Sequence, residues 1–221
     1  MNSLKEQYDQ LAEAFSQTRK KQLWPELSAF LARLKPGDRV LDMGCGSGRL
    51  YRGIPAQVDY VGLDISLGML REAALEHPHA TFFEADILES SSYQYLGQFD
   101  YVFVIAVAHH LDEKQLKQLF LSIKSSLTPQ GVALLSCWRL LSKKYYRSHI
   151  MQIGDKINKR NWRFIKVPFF ISNGIGISET INRTCYAYNM LKLTQLARHA
   201  GLRVVTKNKS KLNFWLECSR D

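Results

Sequence analysis

Val40-Leu41-Asp42-Met43-Gly44-Cys45-Gly46-Ser47-Gly48 is the stretch whose reading decides the fold. Arg39–Met43 reads as a short buried strand, and three glycines follow it at once. Glycine lets the backbone turn tightly and meet a ligand without a Cβ in the way. The spacing is G-x-G-x-G, with arginine at position 49. A dinucleotide site closes its loop as G-x-G-x-x-G, and a phosphate loop needs G-x-x-x-x-G-K, so neither template fits. Asp42, two residues before the first glycine, would also repel a pyrophosphate, whereas a carboxylate there suits an ammonium group.

Outward from this loop, strand and helix signals alternate. Tyr60–Asp64, Thr81–Glu84, Phe99–Ile105 and Val132–Cys137 read as strands. Leu67–Glu76, Glu113–Leu127 and Leu191–Ala200 read as helices, closed by Pro78, Pro129-Gln130-Gly131 and Gly201. Leu202–Thr206 and Asn213–Cys218 make a closing strand pair. Before the loop, apolar residues from Leu4 to Phe15 recur at helical spacing, and Pro25 opens a second helix running to about Leu34. The pattern predicts an α/β fold: a Rossmann-like, seven-stranded, mostly parallel sheet with helices on both faces and an antiparallel last strand. Ligands of such sheets sit beyond the carboxyl ends of the strands.

Acids stand at those ends. Asp64 closes the second strand about 20 residues past the first glycine, where a carboxylate can accept both hydroxyls of a ribose. It could also cap the next helix, a role open equally to Ser66. Asp86 closes the third strand, within reach of an adenine amine. This ordered set resembles the class I S-adenosylmethionine-dependent methyltransferases over about residues 36–137. The resemblance implies that Asp42, Gly44, Cys45, Gly46 and Gly48 hold the methionine end of S-adenosyl-L-methionine, and Asp64 with Ile65 the ribose. Asp86 with Ile87 would take the adenine, against Met69 and Leu70. Ile105 and the segment after it, Ala106-Val107-Ala108-His109-His110, would face the sulfonium and the acceptor. His109 and His110 read as orienting rather than proton-transferring groups.

Further segments carry a narrower resemblance: Tyr8-Asp9 through Phe15-Ser16-Gln17-Thr18-Arg19, Leu23-Trp24-Pro25, Ile105 through His110, and Leu135-Ser136-Cys137-Trp138. They are similar to motifs of the tRNA wobble-uridine methyltransferases, which esterify 5-carboxymethyluridine. Arg183-Thr184-Cys185-Tyr186 is loosely similar to that family's arginine-tyrosine segment. The resemblance implies tRNA as partner and a carboxylate acceptor, already ionised at neutral pH, that needs alignment and no general base. Arg19, His109, His110, Trp138 and Arg139 are the candidate acceptor-binding residues, with Trp138 a wall or a stacking platform. Eukaryotic relatives work with a small zinc-binding activator protein, which makes such a partner an expectation.

Charge points the same way. The chain of 221 residues carries a net +10, an excess that favours a polyanionic partner. Between Arg139 and Lys166 nine basic residues face one acid, Asp155, and Tyr145, Tyr146, Trp162 and Phe164 stand among them. Cations with aromatics suit an RNA loop; a solvated lid over the acceptor cleft is the other reading. The expected organisation is one domain: N-terminal helices at 1–35, the cofactor core at 36–137, a basic insertion at 139–185, and a closing helix and strand pair at 190–221. Four scattered cysteines without a C-x-x-C pair argue against a metal knuckle and a disulfide framework, and a cytoplasmic protein with no membrane span is expected. Small-molecule O-methyl transfer, to a carboxylic acid or another acceptor, remains open beside the tRNA reading.

Overall fold

The computed structural model describes residues 3–18, 23–172 and 177–220. Nine strands and seven α-helices are described. They run α1 (Leu4–Thr18), α2 (Pro25–Leu31), β1 (Arg39–Met43), β2 (Asp59–Asp64), α3 (Leu67–Glu76), β3 (Thr81–Glu84), β4 (Phe99–Val104), α4 (Glu113–Ser126) and β5 (Leu127–Trp138). There follow α5 (Tyr146–Met151), α6 (Ile153–Asn158), β6 (Phe164–Ser172), β7 (Ile177–Tyr186), α7 (Met190–His199), β8 (Leu202–Lys209) and β9 (Asn213–Arg220). Seven strands form one sheet in the order β3-β2-β1-β4-β5-β9-β8. The first five pair in parallel, and β9 lies antiparallel between β5 and β8. This is the Rossmann-like α/β sheet that the sequence predicts. Among the described residues no helix is long and apolar enough to cross a membrane.

Strand alternation divides the core into two layers. Val40, Tyr60, Phe103 and Leu134 pack against α2 on one face. Leu41, Val102, Val104 and Leu135 pack against α4 and α7 on the other. Both faces are covered, so the central strands read as continuous apolar runs. Sequence spacing puts Asp42 on the Tyr60 side of β1, and its carboxylate accepts the Tyr60 hydroxyl at 2.9 Å.

Most elements match the sequence expectation to within a few residues at their ends, and three differences matter. The second helix stops at Leu31 instead of Leu34. β5 begins at Leu127 because Leu127 already pairs with Phe99, and the Pro129–Gly131 segment is absorbed at an irregularity in the register. Residues 139–185 are not irregular: two short helices lead into an antiparallel hairpin of β6 and β7. In β6, Phe164 and Ile165 are both buried although neighbours in a strand point to opposite faces, so the alternation that marks a half-exposed strand is missing.

α1 lies across the carboxyl ends of β2 and β3. Asp9 accepts the Ser66 hydroxyl at 2.6 Å and the Gly68 amide at 2.9 Å, at the start of α3. Burial works against the Asp9 charge, but these two bonds hold its carboxyl below the ordinary range. Lys5 donates to the Ile65 carbonyl at 2.8 Å and pairs with Glu84 at 2.6 Å. Asp9→Ala is expected to lower the unfolding free energy by about 1–3 kcal/mol, the usual loss for a charge-assisted hydrogen bond. Chemical denaturation measures this, and an unchanged midpoint would show that α1 is held by its apolar face alone.

Candidate methyl-transfer cleft

The glycine loop folds as its residue types require. Gly44 has φ +77°, and a Cβ there would lie 2.4 Å from the Val107 Cγ2. Gly46, at φ +54°, has open space on its Cβ side. Its amide donates to Asp64 at 2.8 Å, and the Ser66 amide donates to the other oxygen of Asp64 at 2.9 Å. The loop and the end of β2 are thereby fastened together. Asp86 accepts the Leu88 amide at 2.9 Å, and the Tyr93 hydroxyl holds the Ile87 carbonyl at 2.9 Å.

These segments surround a cavity of about 250 Å³. From the loop Asp42, Gly44, Cys45 and Gly46 line it; from the end of β2 and from α3 come Asp64, Ile65 and Met69; Asp86 and Ile87 after β3 and Ile105 after β4 complete the lining. Gly48 does not line it, and its role is to turn the chain at φ +75° beside His77. Leu4, Tyr8 and Phe15 of α1 roof the same space. Burial pushes the Asp42 carboxyl up to about 7, although the Tyr60 hydroxyl stabilises its charge and Asp64 opposes it. Burial raises Asp64 too, against the amides of Ser66 and Gly46.

A second chamber of about 650 Å³ adjoins the first. Trp24, Arg49, Trp138 and Arg183 line both and form the neck between them. Beyond the neck, Lys144, Tyr145 and Ser148 stand on one side, and Lys166 and Phe170 of β6 on the other. Arg183, on β7, is 4% exposed. Its guanidinium packs 4.9 Å over the Trp138 ring and 5.4 Å over Phe169. Its Nε and Nη1 are buried and find no hydrogen-bond acceptor among the described residues.

His110 lines the inner cavity. The Thr184 carbonyl, 3.1 Å from Nδ1, can only accept, so Nδ1 carries the proton and Nε2 accepts the Tyr8 hydroxyl at 2.8 Å. Burial pushes His110 down to about 4, with the Arg183 charge adding to the effect while Thr184 opposes it. Burial likewise pushes the Tyr8 hydroxyl up to about 12. Both groups are therefore neutral at physiological pH. His109 is fully buried, lines neither cavity, and stacks at 4.1 Å on Trp138. Trp138, with His109 and Arg183 both packed on it, is a wall of the neck. His109, His110 and Cys185 bring possible metal-ligand atoms within 4.8 Å of one another, but both nitrogens of His110 are already engaged.

Of the remaining acceptor candidates, Arg139 is placed elsewhere. Arg139 donates to the carbonyl of Ser210 at 2.6 Å and lines neither cavity. It braces the β8–β9 turn, because its position just past β5 faces that turn instead of the neck. Arg19 lies outside the described residues. Sequence reading did not assign Tyr8, Arg183 or Ala106. All three lie in segments that carried the narrower resemblance, without a role given to the individual side chain. Ala106 takes a left-handed φ of 60°, its amide held at 2.8 Å by the buried Ser136 hydroxyl, and such strain marks functional loops.

The sequence pattern of a methyltransferase domain matches residues 15–207. The chain belongs to this methyltransferase family. It is similar to a tRNA (carboxymethyluridine(34)-5-O)-methyltransferase of Saccharomyces cerevisiae, at 33% identity over 60% of this chain and 47% of that protein. A protein of the same name from Schizosaccharomyces pombe is 26% identical over 95% of this chain and 92% of its own length. The match thus spans about half of the budding-yeast relative. Among solved structures, the CcbJ methyltransferase of Streptomyces caelestis shares the fold at a TM-score of 0.74 and 15% identity, covering 99% of each chain. An S-adenosylmethionine-dependent methyltransferase of Clostridium acetobutylicum does so at 0.70 and 15%, covering 96% of this chain and 98% of that one.

The residues of this methyltransferase fit S-adenosylmethionine: a buried carboxylate for an ammonium group, a second for ribose hydroxyls, and open space over Gly46. Binding an ammonium requires Asp42 to be ionised. Cofactor affinity is therefore expected to be steady above pH 7 and to fall as pH drops through about 7, approaching tenfold per pH unit. Calorimetric titration from pH 5.5 to 8.5 tests this, and Asp42→Asn should remove the dependence. A flat profile in the unsubstituted protein would leave Asp42 without the assigned role.

Proposed function

We propose that this chain transfers a methyl group from S-adenosylmethionine to the carboxylate of a carboxymethyl group on the wobble uridine of tRNA. The observation that carries the reading is the buried guanidinium of Arg183 in the neck between the two chambers, which meets the neutral Tyr8 side chain while its Nε and Nη1 find no acceptor among the described residues. A buried cation with open N–H groups calls for an anion, and a planar fork suits a carboxylate. The relatives named as carboxymethyluridine methyltransferases and the basic outer chamber direct that choice to tRNA.

S-adenosylmethionine supplies, when bound, an electrophilic methyl on a sulfonium. Arg183 holds the acceptor carboxylate in the neck, and Tyr8 with His110 fixes the adjoining wall. With the donor held by Asp42 and Asp64, the carboxylate on Arg183 would receive the methyl on one oxygen, and sulfur would keep the electron pair of the bond it gives up. No proton moves, which agrees with a site whose histidine is held neutral and hydrogen-bonded on both nitrogens. Alignment and exclusion of water supply the rate. The ester product is uncharged, so Arg183 loses its counterion and product release is favoured.

Mass spectrometry of nucleosides from tRNA incubated with protein and cofactor is the direct test. The expected outcome is conversion of 5-carboxymethyluridine to its methyl ester. No new methylated nucleoside in tRNA, with turnover of small carboxylic acids instead, would move the assignment to the small-molecule reading. Arg183→Met is expected to cut kcat/KM by about 30-fold or more without lowering the melting temperature, because an apolar side chain removes an uncompensated buried charge. A tRNA bearing a carbamoylmethyl group should compete poorly with the unsubstituted protein. Equal competition by acid and amide would exclude Arg183 as the carboxylate anchor.

A further inference from the structure

The outer chamber is larger than a carboxymethyl arm requires. At about 650 Å³ it falls in the range of pockets that enclose a whole small ligand. Its lining combines two kinds of group beyond the neck. Lys144 is exposed, and its ammonium lies 5.3 Å from the centre of the Tyr145 ring. Lys166 is held at 2.8 Å by Asp155, so its charge is partly answered within the chain. Phe170 keeps 55% of its surface open on the hairpin although it lines the chamber. At the far end Arg183, nearly fully buried and with Nε and Nη1 lacking an acceptor among the described residues, is shared with the cofactor cavity. A cation at the mouth, exposed aromatic surface along the wall and an anion seat at the base match three parts of one molecule: a phosphate, a flat base and a charged substituent.

We propose that this chamber is a binding site for a single unstacked pyrimidine nucleotide, with its backbone phosphate on Lys144 and its base against Tyr145 and Phe170. The 5-substituent of the base then points through the neck to Arg183. This rests on the tRNA reading above and deepens it: the acceptor is recognised one nucleotide at a time, out of its stack, and not as part of a helix. Aromatic surfaces bind unpaired bases because a base in a duplex has no free face to offer. The substituent reaches the methyl-transfer point only if the base enters the chamber.

The test uses the full chain saturated with S-adenosylhomocysteine and titrated with a uridine trinucleotide, followed by tryptophan fluorescence, to which Trp24 and Trp138 of the neck contribute. Saturable binding is expected, stronger than for a short RNA duplex of the same sequence content. Lys144→Glu should weaken it about tenfold and reduce the slope of log affinity against log salt by about 0.7, the value for one phosphate contact on a single strand. Phe170→Ala should weaken it at least about fivefold. Both side chains are exposed, and thermal melting with S-adenosylhomocysteine affinity checks that each variant folds; Lys144→Gln and Phe170→Leu give milder versions. Preference for the duplex, or equal affinity in all variants, overturns the proposal. Methylation of tRNA with unchanged KM in both variants rejects the chamber and keeps the tRNA function. Trinucleotide binding lost in both variants, with no methyl entering tRNA from the unsubstituted protein, keeps the chamber and rejects the wobble-uridine reading.

Discussion

A guanidinium buried with no counterion among the described residues is the constraint around which the acceptor side of this protein is organised. Removing a charge from water costs several kcal/mol unless something replaces the lost hydration. Here the replacement is partial. The rings of Trp138 and Phe169 face Arg183 with their π surfaces, which attract a cation. They offer no acceptor for its N–H groups. Trp138 must be fixed to serve this purpose, and His109 stacked on it does so. His110 must stay uncharged next to the same cation, and burial with hydrogen bonds to Thr184 and Tyr8 keeps it so.

The opposite end of the cleft shows the mirror arrangement. Asp42 and Asp64 are acids in low dielectric, both raised by burial. One end of the joined cavities is thus short of positive charge and the other short of negative charge. α1 spans the space between, with Asp9 on α3 and Tyr8 on His110. The order of charges along the cleft suits a cationic donor at one end and is what the proposed anionic acceptor would need at the other.

The cofactor side was legible in the sequence because its residues are consecutive or stand at strand ends. Asp42, Gly44, Gly46, Asp64 and Asp86 follow from topology once the strands are placed, and all of them line the inner cavity. The acceptor side was less legible because it is assembled across long separations. Arg183 meets Trp138 only after the chain has passed through two helices and a hairpin. A basic residue in a basic segment carries no sign of being buried, whereas Arg139, next to Trp138 in sequence, looks like the better candidate. Its guanidinium is committed to the Ser210 carbonyl instead. The hairpin itself was hidden because Phe164 and Ile165 are both covered.

The placement of that hairpin has a practical corollary. β6 and β7 branch off between β5 and α7 and pair only with each other, as a sheet of their own. They add no strand to the seven that carry the cofactor loop. The chain leaves and rejoins the main body on the acceptor side, so length and composition there can vary without shifting the register of any central strand. A lineage could retune what is methylated by rewriting one appendage, and a protein engineer could graft a different appendage at the same junctions, while the methyl-donor half is inherited unchanged.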